Sequence, residues 1–200
     1  MKIIVVSHNR NWYNNSKDFT LLNNISLPVV AMKADSALLK NGKPFFIPDF
    51  TKQCVAHVCL VVRISRLGKS ISARFAPRYY DAITIGVDFR AMDVMKDLAE
   101  RSLPLDLALS FDASAVIGDW IDINTDVKLG LCVASKSVEY TFGDIRTTIN
   151  DMVEKLSKVF TLRQGDLLFM DFAENGIEVK IDDHIVGYVN EKKLLEFNVK

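Results

Sequence analysis

Residues 53–64, QCVAHVCLVVRI, are the most β-branched stretch of this 200-residue chain. A period of two places His57, Cys59 and Val61 on one side of a strand and Val58, Leu60 and Val62 on the other. Both sides are apolar, which a strand needs only when both faces of its sheet are covered, so this strand is central. Downstream, Pro77 to Ile83 leads through Ile85-Gly86-Val87 into a second strand carrying Asp88, Phe89 and Arg90, and Val94 to Arg101 then turns helical.

Further out, Lys2 to Val6 reads as a buried strand, and His8 to Ser16 is crowded with Asn, which favours turns over helix interiors. Ile25 to Met32 is strand-like. Asn41-Gly42, between Leu38-Leu39 and Phe45-Phe46-Ile47, predicts a hairpin closed by Pro48, because both central residues tolerate positive φ. Phe111 to Ile123 and Lys128 to Val138 add strands, the second with a turn at Ser135-Lys136. Ile149, Met152, Val153, Leu156 and Val159 recur at helical spacing, which predicts a helix over Thr147 to Phe160 capped by Thr147 or Thr148. Gly165-Asp166, Asn175-Gly176 and Asp182-Asp183 punctuate the remaining short strands down to Leu194 to Val199. Many short strands with one strong helix give an α+β class dominated by sheet, as a single domain over residues 1–200.

Lys and Arg number 25, Asp and Glu number 25, and 49% of residues are apolar, so the net charge is zero. Nucleic acid and anionic membrane surfaces both need a concentrated positive field, and neither is expected as a partner. Met1 to Val6 is too short for a signal-peptide core or a membrane span, which leads us to expect a cytoplasmic protein. The three cysteines, Cys54, Cys59 and Cys132, are expected to be reduced thiols.

Five segments resemble the fumarylacetoacetate hydrolase family in order and spacing: KADSALLKNGKPFFIPDF from Lys33, VCLVVRISRLGKSIS from Val58, RYYDAITIGVDFRAMD from Arg78, LALSFDASAVIGDW from Leu107, and FTLRQGDLLF from Phe160. Five matches in register are far more specific than one motif. The resemblance covers nearly the whole chain and implies that family's β-rich fold, a mixed β-sandwich roll with few helices. It also implies chemistry on small β-dicarbonyl acids assisted by a divalent cation, Mg²⁺ or Mn²⁺, which three carboxylates hold.

At the family's metal positions this chain carries His57, Cys59 and Asp88, and only Asp88 keeps the carboxylate. Imidazole and thiol are poor ligands for Mg²⁺, so the expectation is that no cofactor is used; the alternative is a cation on His57, Cys59 and Asp88, for which Zn²⁺ is conceivable. The family's cleft lysine falls on Leu109, and its carboxylate-receiving turn falls on Met170, Asp171, Phe172 and Ala173, where Asp171 is expected to repel an acid. Lys33 matches a family lysine and reads equally well as a rim residue. The lid acid/base pair falls near Tyr13 and Ser16, with neither His8 nor Asp18 restoring its spacing.

Arg90 lies two residues beyond Asp88, on the same strand face, so its guanidinium can stand where the cation would. Its bland alternative is an Arg reaching solvent along its own stem. Catalytic residues are therefore expected to be none, with Arg90, Leu109, Met170, Asp171 and Lys33 lining a degenerate substrate cleft. The sequence points to a diverged family member acting as a binding or interaction protein. The alternative is a metal-dependent hydrolase, decarboxylase or isomerase of small oxo-acids with reassigned ligands. By analogy with the family, the expected partners are a second copy in a homodimer, a small oxo-acid, or an active relative in a heteromer.

Overall fold

The structure is a computed structural model and describes residues 1–7, 29–123, 126–172 and 175–200. Its strands are β1 (Ile3–Ser7), β2 (Val29–Lys33), β3 (Leu38–Lys40), β4 (Cys54–Ile64), β5 (Tyr80–Ala91), β6 (Ala115–Ile117), β7 (Val127–Val133), β8 (Lys136–Phe142), β9 (Leu167–Asp171), β10 (Ile177–Glu178), β11 (His184–Val189) and β12 (Lys192–Asn198). Among the described residues α-helices span Met92–Glu100, Asp106–Leu109 and Ile145–Val159. The sheet-rich α+β class read from the sequence is the one observed.

The larger sheet runs β2-β1-β9-β4-β5-β6-β3, with β10 also on β4, and the smaller runs β12-β11-β7-β8. β4 is central, as its double-sided apolar sequence requires. It pairs antiparallel with β5 along its whole length, with His57 opposite Asp88 and Val55 opposite Arg90. On its other edge β9 stops at Asp171, opposite Cys59, and β10 takes up the pairing at Ala56 and Val55.

Strand alternation divides the core. Val58, Leu60, Val62, Ile85, Val87, Phe89 and Met170 point into the main core, which also holds the inner residues of the smaller sheet and of helix Ile145–Val159. Cys59, Val61, Phe169, Ile3 and Val5 form a second apolar cluster on the opposite face. His57, Asp88, Arg90 and Asp171 lie on that second face by register. Among the described residues no helix is long and apolar enough to cross a membrane.

Three local expectations are corrected. Gly42 does turn the chain, at φ +80°, yet no hairpin forms. β3 pairs parallel with β6, and Phe45 bridges to Val199 in the C-terminal segment. Turn chemistry fixes the bend but not the partner: Phe45 stacks on Phe89 at 3.8 Å between centroids, and that burial directs the returning chain. The late helix is capped by Asp144, whose side chain accepts from the Thr147 amide at 3.3 Å; Thr147 lies inside the first turn. Of Phe111 to Ile123, only β6 is strand. The segments around His8, Tyr13, Ser16 and Asp18 lie outside the described residues.

Candidate functional site

Of the side chains singled out in the sequence, Lys33, His57, Asp88, Arg90 and Asp171 meet in a buried ionic network on the second face of β4, β5 and β9. Arg90 is 2% exposed and lies at its centre. Its Nε donates to Asp88 Oδ2 at 2.7 Å, and one terminal nitrogen donates to Asp171 Oδ2 at 2.6 Å. The other terminal nitrogen sits 3.3 Å from His57 Nε2. An arginine nitrogen can only donate, so His57 Nε2 accepts and the ring proton is assigned to Nδ1. That atom lies 3.3 Å from Asp171 Oδ2.

Lys33, 4% exposed, supplies the second cation. Its Nζ lies 2.8 Å from Ser114 Oγ, 3.0 Å from Ser114 O, 3.2 Å from Phe89 O and 2.7 Å from Asp88 Oδ1. An ammonium has three protons for these four oxygens, of which Asp88 Oδ1 is the nearest. The rim role considered for Lys33 is thereby excluded. Sequence spacing carries no signal for Ser114, because its part depends on a hydroxyl and a carbonyl turning to the same ammonium.

Two buried carboxylates, Asp88 and Asp171, face two buried cations, Lys33 and Arg90, with His57 between them. The arrangement sets the ionisation of each group. Burial pushes the Asp88 carboxyl up, but Lys33 and Arg90 outweigh it and hold it below the usual carboxylate range. At Asp171 burial acts the same way and is outweighed by His57 and Arg90. Burial lowers Lys33, only partly offset by Asp88, whereas Arg90 is raised because Asp88 and Asp171 outweigh its burial. The repulsion of acids expected from Asp171 is thus removed by its own guanidinium partner.

Cys59 is not part of this network. Its Sγ lies 3.8 Å from the His57 carbonyl oxygen, and burial pushes the thiol well above its ordinary value. Among the described residues no three His, Cys, Asp or Glu side chains stand close enough to hold a metal ion. The residues present therefore do not fit a cation on His57, Cys59 and Asp88: the thiol is protonated, and Arg90 occupies the space in front of Asp88. Met170 belongs to the main core, since alternation along β9 turns it away from Asp171, and it does not line the site. Leu109 is buried in helix Asp106–Leu109, and its carbonyl accepts from Ser114 Oγ at 3.4 Å.

Gly176 was not singled out by sequence beyond its turn signal, yet it shapes the site. A Cβ there would lie 2.7 Å from both Cδ2 and Nε2 of His57 and 2.4 Å from a Val55 methyl. Only glycine leaves the imidazole room to face Arg90.

The chain is similar in sequence and in fold to proteins that are named as enzymes. The chain is 24% identical over 181 residues to a mitochondrial oxaloacetate tautomerase of Bos taurus, covering 88% of this chain and 82% of that protein. The corresponding tautomerase of Caenorhabditis elegans is 25% identical over 179 residues, covering 86% and 84%. Among solved structures, a fumarylpyruvate hydrolase from Pseudomonas aeruginosa in complex with Mn²⁺ and pyruvate superposes with TM-score 0.81 at 20% identity, covering 100% of this chain and 89% of the other. A putative fumarylpyruvate hydrolase from Burkholderia cenocepacia gives TM-score 0.83 at 20% identity, covering 100% and 88%. A relative that binds Mn²⁺ lends no support to the expectation that no cofactor is used. The profile of the Fumarylacetoacetate (FAA) hydrolase C-terminal family matches residues 5–170, and the chain belongs to that family.

Proposed function

We propose that this chain handles small oxo-acids, the compound class in its relatives' names, at the buried network whose positive charge comes from Arg90 and Lys33 and not from a resident divalent cation. The observation that carries this reading is the Arg90 guanidinium between Asp88 Oδ2 and Asp171 Oδ2, at 2.7 and 2.6 Å. Guanidinium and ammonium groups recognise carboxylate and enolate oxygens through charge-assisted hydrogen bonds. The network is internally neutral, so it favours a ligand that exchanges with an internal carboxylate over one drawn in by excess charge. Under this reading the chain binds such acids, with turnover slow or absent. In the same proposal the chain is a homodimer, which light scattering checks.

A second reading is favoured by the relatives themselves, which are named as enzymes: a metal-dependent hydrolase, decarboxylase or isomerase of small β-dicarbonyl acids. One experiment separates the two. Protein prepared with chelator is tested for thermal stabilisation by pyruvate and oxaloacetate, and for oxaloacetate tautomerisation and acylpyruvate cleavage, with and without Mn²⁺. Ligand stabilisation that ignores Mn²⁺ supports the first reading, and turnover that appears only with Mn²⁺ establishes the second.

A further inference from the structure

We infer that the turn at Arg66 to Gly68 and the neighbouring segment Ala73–Arg78 form a docking surface for an anionic lipid bilayer, Arg66, Arg74, Arg78 and Arg163 meeting the headgroups and Leu67 the acyl region. The surface lies past the end of β4, whereas His57 stands near that strand's start. The zero net charge that argued against a membrane partner is an average over an uneven distribution. Residues 66–78, RLGKSISARFAPR, hold four cations and no Asp or Glu, while residues 102–127 hold five Asp and no Lys or Arg. An anionic surface responds to the local field, whatever the total charge.

Backbone pairing gathers these arginines. Ser65 N donates to Tyr79 O at 2.8 Å, which sets Arg66 beside Arg78 where the β4–β5 ladder ends. Gly68 and Leu162 exchange both backbone bonds at 2.9 Å, so Leu67 and Arg163 stand across from each other. Leu162 is buried, and alternation turns Leu67 and Arg163 outward. A Cβ on Gly68 would lie 2.6 Å from both Ile71 and the Tyr79 ring, so the turn is packed down with Leu67 held out. The guanidiniums of Arg74 and Arg78 lie 4.4 and 5.1 Å from the centroid of the Phe75 ring.

The acids nearby are already engaged. Glu154 pairs with Lys158 at 3.0 Å and accepts from the Ala73 amide at 2.9 Å, Asp81 pairs with Arg63, and buried Asp166 is held by Lys2 and the Arg163 amide. Lys69 donates to Val159 O at 2.6 Å, at the end of the late helix. Among the described residues Arg66, Arg74, Arg78 and Arg163 have no carboxylate partner, and all four are exposed. Such a cluster attracts any polyanion, and the apolar side chains within it select the kind. Leu67 is 68% exposed, more than any other large apolar residue described. Nucleic acid phosphates offer nothing to an aliphatic tip, whereas a bilayer offers anionic headgroups to the arginines and hydrocarbon to the leucine.

The test is flotation of native protein with vesicles of phosphatidylcholine mixed with phosphatidylserine, and of phosphatidylcholine alone, at low and high salt. Native protein is expected to float with the anionic vesicles only and to be released by salt. Each arginine near such a surface is worth about fivefold in partitioning, so Arg66→Gln/Arg163→Gln and Arg74→Gln/Arg78→Gln should each bind about 25-fold more weakly. Leu67→Ser, which leaves the charge unchanged, should weaken binding severalfold. All these side chains are exposed, so thermal melts of the variants should match the native one. Native protein that stays behind at low salt overturns the inference, as does flotation that survives both arginine pairs or is equal on neutral vesicles. Binding to soluble poly-glutamate through the same arginines, without binding to vesicles, would make the partner an acidic protein and overturn the lipid assignment.

Discussion

Arg90 Nε donates to Asp88 Oδ2 at 2.7 Å, from two residues further along the same face of β5. The same guanidinium reaches on to Asp171 at the end of β9, so one side chain ties together charges from strands distant in sequence. Removing one partner of such a pair costs about 3–5 kcal/mol, because the other charge is left buried and alone. Arg90→Leu and Asp171→Leu are each expected to lose stability of that order in urea unfolding. Replacing both with apolar residues should cost less than the two singles added, so a fully additive cycle would show that the two groups do not interact.

Acid should weaken the network before it disturbs the apolar core. Asp88 and Asp171 hold their protons more weakly in the folded chain than in the unfolded one, where the value is about 3.9. Their contribution is therefore full above that value and is lost as pH falls through the lower native values. Urea midpoints followed from neutral pH down should drop more steeply below about pH 4 in native protein than in Asp88→Asn. Exposed carboxylates such as Asp144, whose lowered value comes from its bonds to Thr147, contribute alike to both proteins.

Gly176→Ala should act on His57 without touching a charged residue. The added Cβ would lie 2.7 Å from His57 Nε2, and either the ring or the β10 approach must shift. A loss of about 1–3 kcal/mol is expected, as for overpacking in a tight core. Histidine NMR reports whether the ring environment changes with it. An unchanged His57 resonance in a stable variant would mean that the glycine is not what gives the ring its room.

The cysteines should separate by accessibility. Burial pushes Cys54 up to about 12 and Cys59 higher than its ordinary value, and both side chains are buried, whereas Cys132 is partly exposed. A thiol reagent at neutral pH should modify Cys132 first and reach the other two only on unfolding. Rapid labelling of Cys59 in folded protein would contradict the protonated, enclosed thiol described above.

The central strand, the late helix and the position of Arg90 beside Asp88 were legible because each follows from a short-range period: two for β4 and β5, and 3.6 for the helix. Asn41-Gly42 shows where that stops, since the turn forms but its strands pair elsewhere, under the control of the Phe45–Phe89 stack. In the site, Asp171 was legible as a cleft residue but not as the partner of Arg90, because that contact depends on β9 ending opposite Cys59. Met170 was misassigned for the related reason that a turn position in the resemblance is here a strand position, where alternate side chains face opposite ways. Ser114 and Gly176 act through backbone direction and missing volume, and neither leaves a pattern in a single sequence.

The most direct measurement is a crystal structure of native protein grown with millimolar Mn²⁺. The guanidinium of Arg90 is expected between Asp88 and Asp171, with Lys33 on Ser114 and no ion among them. An Mn²⁺ ion seated beside Asp88, with Arg90 turned out of the cleft, would contradict the replacement of the metal by this chain's own cation.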